Sequence, residues 1–222
     1  MSPLHGLNFV AAALRKSGRT FSVSSPADGT PLDGKFQLAR PIDAEEALAA
    51  ADAAAGPFAR MTSAERAAFL EHVAEEILAL GDALIERAAA ETALPVARLT
   101  GERGRTVGQL RLFAAEARDG SWVDARIDRA QPDRQPLPRP DLRRMKLPLG
   151  PVVVFGSSNF PLAFSVAGGD TASALCTGNP VIIRPIAAIP ERRNWWPGRF
   201  AGRSMPAAFP PACFRCSMGK GA

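Results

Sequence analysis

The sequence predicts an α/β fold in which a helical N-terminal part leads into a parallel βαβ unit. Three observations carry this. Val152, Val153, Val154 and Phe155 form an unbroken apolar run, as expected of a parallel strand covered on both faces, and Val181, Ile182 and Ile183 form a second. Between them Gly156-Ser157-Ser158-Asn159 makes a polar elbow, stiffened at its exit by Pro161. Asp170, Thr171 and Ser173 then sit among small apolar residues at helical spacing, until Gly178-Asn179-Pro180 stops the helix. A polar loop at the carboxyl end of a parallel strand is where such sheets bind ligands.

Taken in order, the elements begin with helices. Asp43 with Glu46 three residues on forms a capping-box signature, and Ala47, Leu48 and Ala51 give that helix a small apolar stripe. Thr62 and Glu65 repeat the signature before the longest helix. There Phe69, Val73, Ile77, Leu80 and Leu84 recur at three- and four-residue steps, and Leu94-Pro95 ends it. Residues 102–118 make a third helix, with Val107, Leu110, Phe113 and Ala117 inward. Gly101, Gly104 and Gly108 carry a weak phosphate-loop spacing, but no strand precedes them. Alternation at Val123, Ala125 and Ile127 predicts an exposed strand in residues 122–129, joined through a Pro-rich connector over 131–140 to residues 143–147.

Two segments make the reading specific. GSSNFPLAFSVAGGDTASAL, beginning at Gly156, and ETALPVARLTGERGRTVGQLRLFA, beginning at Glu91, resemble the aldehyde dehydrogenase superfamily. Its members carry an Asn-(Phe/Tyr)-Pro turn after the first strand of the cofactor domain. The version without Trp before the Asn is most similar to α-ketoglutaric semialdehyde (2,5-dioxovalerate) dehydrogenases. The likeness runs over residues 36–184. It implies an incomplete aldehyde dehydrogenase-like fold, with N-terminal helices leading into the first βαβ of a Rossmann-like cofactor domain.

The resemblance also assigns roles. In the family a cysteine thiolate attacks the aldehyde carbon, and the oxyanion is held by the amide side chain of the turn, here Asn159, with a backbone N–H. Hydride passes to a nicotinamide, and a Glu-activated water hydrolyses the thioester. From its local residues alone Asn159 reads as a helix cap or turn former. Phe155, Gly156, Ser157 and Arg184 fall where the family binds NADP or NAD. Arg184 stands where a Lys commonly contacts the adenosine ribose, and from its residues alone it reads equally as a solvated strand-end charge. Residues 122–147 match a ribbon that pairs subunits in homo-oligomeric relatives, and read on their own as a surface hairpin.

After Arg184 the character of the chain changes. Residues 185–222 show no apolar period and hold six of the 27 basic residues but one of the 22 acidic ones, so the whole +5 charge lies there. The basic pI is therefore no sign of a nucleic-acid partner. Trp195-Trp196-Pro197 must be written TGG-TGG-CCN after a pyrimidine that ends Asn194, and read one base earlier those bases encode only Leu-Val-Ala. The shifted frame permits H-P-G-T-S-E-L-V-A and then D-A-C-G-L-P-A-G-V-F-S-M-L-H-G, which resembles the next helix, loop and strand of the same family. The tail is thus expected to be a frameshifted translation without a packed fold, and the chain as written to be inactive. The family's phosphate-binding glycine turn, catalytic Cys and general-base Glu would all lie beyond the shift.

The remaining features fit this division. Residues 1–121 are the helical part, 122–147 the ribbon, 148–184 the start of the cofactor domain and 185–222 the out-of-frame tail. Cys176 reads as a buried structural thiol, and the Cys213/Cys216 spacing lacks the βαβ setting of a redox motif. His72 has no second ligand nearby, so no metal is expected. No apolar run spans a membrane, the start MSPLHGLNFV is not a signal peptide, and three cysteines without a disulfide pattern fit the cytoplasm. The expected substrate is a small aldehyde, and the reading from another class is a non-catalytic oligomerising or binding fragment.

Overall fold

A computed structural model describes residues 6–10, 13–184 and 214–215. Two antiparallel hairpins come first: β1 (Asn8–Val10) with β2 (Ala13–Arg15), and β3 (Thr20–Ser24) with β4 (Pro31–Gln37). The second closes through a turn in which the Asp28 carboxylate accepts the Thr30 N–H at 3.0 Å. The helical N-terminal part therefore starts only at Pro41.

Helix α1 (Pro41–Ala59) is capped by Arg40, three residues before the predicted cap Asp43. Pro41 occupies the first helical position, and the buried Asp43 carboxylate accepts the Arg40 backbone N–H at 2.8 Å and its guanidinium at 2.8 Å. The Arg40 side chain, first of all, holds the Asp43 carboxyl below the usual carboxylate range. A depressed folded-state pKa gives stability that is complete at neutral pH and is lost as pH falls through the folded value. Asp43→Asn should therefore flatten the acid limb of a thermal-stability profile, and an unaltered limb would contradict this.

The Thr62/Glu65 capping box opens α2 (Ser63–Ala79) as predicted, the two side chains reaching each other's backbone N–H at 3.2 and 2.8 Å. The single long helix is, however, two. Gly81, at φ +60, breaks it, and α3 (Gly81–Thr92) follows with Leu84 still buried. Helix α4 (Val96–Asp119) is longer than predicted, starts directly after Pro95 and contains Gly101, Gly104 and Gly108 as helix. Trp122 and Val123 lie in a 3-10 turn rather than a strand. The ribbon follows as β5 (Arg126–Asp128) and β6 (Leu142–Arg144), antiparallel and exposed throughout.

The βαβ unit forms as β7 (Val152–Phe155), α5 (Gly169–Cys176) and β8 (Val181–Arg184), with β7 and β8 parallel. A two-residue strand β9 (Phe214–Arg215) pairs with the other edge of β8, giving the order β7-β8-β9. The rest of the segment read as out of frame, with its Cys213 and Cys216, lies outside the described residues. The core joins α2 (Leu70, Val73), α4 (Leu99, Leu110) and α5 (Ala172, Leu175) to one sheet face through Val154, Val181 and Ile183. A second cluster sets Ala47, Ala51 and Ala54 of α1 against Ile182 on the other face.

β7 departs from expectation. Only one of its faces is covered, and Val153 and Phe155 are 45% and 64% exposed. Among the described residues it is an edge strand, and α1 reaches over Ile182 without extending across Val153, its register partner. No helix among the described residues is long and apolar enough to cross a membrane.

Candidate functional site at the carboxyl end of β7

Parallel register brings Phe155 opposite Arg184. The Gly156 N–H donates to the Arg184 carbonyl at 3.0 Å, extending the ladder by one bond, and the Arg184 guanidinium lies 5.9 Å from the Phe155 ring centre. Ser157 then turns the chain back, its N–H donating to the Phe164 carbonyl at 2.8 Å. Its hydroxyl donates to the Asn159 side-chain oxygen. That bond orients the Asn159 amide, which is exposed, and its NH2 group has no protein partner among the described residues. Phe155, Gly156, Ser157, Arg184 and Asn159 thus form one neighbourhood at the strand ends.

The turn after Asn159 is packed too closely for ordinary side chains. A Cβ on Gly168 would come within 2.5 Å of the Ala163 carbonyl, so glycine is required there for space rather than for dihedral freedom. Downstream, the buried Asn179 accepts the Leu149 and Gly150 N–H groups at 2.8 and 3.1 Å and donates to Thr177 Oγ1 at 2.8 Å. It ties the end of α5 to the entrance of β7. Arg66, buried on α2, donates to the Cys176 carbonyl at 3.0 Å, placing a cation at the α5 C-terminus. Burial raises the Cys176 thiol pKa, so this cysteine is a poor thiolate, in keeping with a structural role.

Two site-forming residues escaped the sequence reading. Glu102, buried on α4, accepts the Leu162 and Ala163 N–H groups at 3.0 and 3.4 Å and the Arg98 Nε–H at 3.3 Å. Arg98 Nη2 in turn donates to the Asn159 carbonyl at 2.5 Å, and its guanidinium covers the Phe160 ring at 5.4 Å. Helix α4 thereby clamps both sides of the Asn159 turn with charge-assisted bonds. The Arg98/Glu102 spacing of four was visible as a helix pair, but partners some sixty residues away were not. Glu102→Ala should speed amide exchange at Leu162 and Ala163 by about tenfold or more, because two N–H groups and a guanidinium lose their acceptor. Glu102→Gln, which keeps one carbonyl oxygen, should lose less, and unchanged exchange in both would refute the clamp. Among the described residues no group of three His, Cys, Asp or Glu is arranged to hold a metal.

Comparison with known proteins agrees with this architecture. The aldehyde dehydrogenase family profile matches residues 14–191. The chain is 61% identical over 175 residues to α-ketoglutaric semialdehyde dehydrogenase 2 of Azospirillum brasilense, covering 78% of this chain and 33% of that protein. It is 45% identical over 185 residues to α-ketoglutaric semialdehyde dehydrogenase of Acinetobacter baylyi, covering 83% and 35%. The chain thus spans about a third of the length of these curated relatives. A crystal structure of an aldehyde dehydrogenase from Brucella melitensis biovar abortus 2308 superposes with a TM-score of 0.79 at 26% identity, covering 98% of this chain and 42% of that one. On the profile match and the fold together, the chain belongs to the aldehyde dehydrogenase family.

Proposed function

We propose that this chain is the N-terminal part of an NAD- or NADP-dependent aldehyde dehydrogenase that oxidises 2,5-dioxopentanoate to 2-oxoglutarate. The observation that carries the substrate is the 61% identity to a relative named for that semialdehyde. Asn159 is the proposed oxyanion donor. Its exposed amide, oriented by Ser157, suits a developing negative charge because a neutral donor held in place needs no reorganisation when the charge forms. Phe155, Gly156, Ser157 and Arg184 are the proposed cofactor contacts. They fit the group chemically, with an exposed aromatic face beside a guanidinium able to meet a phosphorylated ribose. The nicotinamide, when bound, accepts the hydride.

The tail carries the second half of the proposal. Residues 185–222 are an out-of-frame translation, and the nucleophilic Cys and general-base Glu belong to the frame one base away. Support comes from the codon constraint at Trp195-Trp196-Pro197, and the family match, which runs to residue 191, leaves residues 192–222 outside it. The chain as written is then inactive. Its correctly framed counterpart, the frame-restored enzyme, should reduce NAD or NADP in the presence of 2,5-dioxopentanoate, read as nicotinamide absorbance. No turnover by that enzyme with either cofactor would refute the assignment.

A specific feature supports one other reading. The β5–β6 ribbon is solvent-exposed on both strands, with Ile127 and Leu142 at 62% and 51%. Such a ribbon suits pairing with another subunit in a homo-oligomer, and a catalytically silent chain could join intact subunits through it. Cytoplasmic location is the setting that fits its cysteine usage.

A further inference from the structure

Arg105 stands on α4 almost one turn past Glu102 and is exposed. Its guanidinium carbon lies 5.0 Å from the Phe164 ring centre and 5.6 Å from that of Phe160. The two rings meet edge to face at 5.5 Å. Arg98 pairs with Glu102 and Arg103 with Asp82, whereas Arg105 pairs with no carboxylate among the described residues. A guanidinium resting on aromatic rings keeps its in-plane N–H groups available, and their fork matches a carboxylate. Phe160 follows Asn159 directly in the chain, so the ring under this cation belongs to the same turn as the proposed oxyanion donor. The helix surface next to it is also low. Gly101, Gly104 and Gly108 lie along one side of α4, and a Cβ on any of them would meet nothing within 4 Å. Each glycine costs a helix about 1 kcal/mol relative to Ala.

We propose that Arg105 is a specificity-determining residue that receives the carboxylate of an anionic aldehyde and directs its carbonyl end toward Asn159. The aldehyde part rests on the dehydrogenase reading above, and the anion part rests on the Arg105 environment alone. 2,5-Dioxopentanoate carries a carboxylate at one end and an aldehyde at the other, which suits a cation and an amide donor on one turn. Arg98 is the less suitable receiver, because its Nε and Nη2 already donate to Glu102 and the Asn159 carbonyl.

Two measurements test this separately. In the chain as written, phenylglyoxal labelling of arginines, read residue by residue by mass spectrometry, should slow several-fold at Arg105 when 2-oxoglutarate replaces chloride at equal ionic strength. Arg111 and Arg118, already paired with Glu75 and Glu71, serve as controls. In the frame-restored enzyme, Arg105→Gln should lower the ratio of kcat/KM for 2,5-dioxopentanoate to that for pentanal by about tenfold or more, from loss of a charge-assisted bond. Arg105→Lys, which keeps the charge without the fork, should fall between. Absent protection, or an unchanged ratio in both variants, overturns the inference while an active enzyme leaves the dehydrogenase reading intact. Selective protection of Arg105 in a protein that oxidises neither aldehyde upholds the anion site and sinks the dehydrogenase reading instead.

Discussion

Asn159→Ala in the frame-restored enzyme should lower kcat by about a hundredfold or more, the loss typical of removing one oxyanion donor from an acyl-transfer site. The effect should fall on kcat rather than KM, because the amide is needed only once the carbonyl oxygen has become negative. Thermal stability should move little, since the side chain is exposed and its bond to Ser157 is local. Full kcat in this variant would show that Asn159 only shapes the turn. The chain as written should show no turnover of 2,5-dioxopentanoate above a buffer control. An oriented donor stabilises an oxyanion only after a thiolate has produced one, and Cys176 is buried with its pKa raised.

The chain as written should also bind hydrophobic dyes and self-associate. Val153 and Phe155 leave one face of β7 open, and the nearby Leu149 is 97% exposed. An uncovered apolar face on an edge strand is a ready pairing surface. The double variant Val153→Thr and Phe155→Ser should reduce dye binding, because it removes most of that face while leaving Val154 in the core. A monomer that binds no dye and melts in one cooperative transition would contradict the account of an open sheet.

Local signals predicted local structure well. The Thr62/Glu65 box and the glycine and proline after α5 marked real helix ends, since capping and helix termination depend on neighbours in sequence. The Gly81 break passed unseen because the apolar step from Ile77 through Leu80 to Leu84 runs straight across it. The β3–β4 hairpin is legible in the alternation of Phe21 and Val23 and in Asp28-Gly29. Coverage of β7 was not legible at all. An unbroken apolar run states that a strand suits burial, not that a covering element lies within reach.

The site divides along the same line. Residues 155–159 follow one another on a strand end and its turn, so sequence spacing alone brought them together. Arg184 joined them because a parallel βαβ unit places its two strand ends side by side. The α4 clamp of Arg98 and Glu102, and the Arg105 stack, depend on a helix packed across the turn from far upstream. Only the three-dimensional fold reveals that contact.

The most direct test of the whole account is the DNA sequence across the codon of Arg184 and the bases that follow. An open frame one base away is expected there, encoding H-P-G-T-S-E-L-V-A and, downstream, the cysteine and glutamate that the reaction needs. A downstream sequence with no continuation of the family in that frame would contradict the claim that this chain is the first part of a semialdehyde dehydrogenase read out of frame.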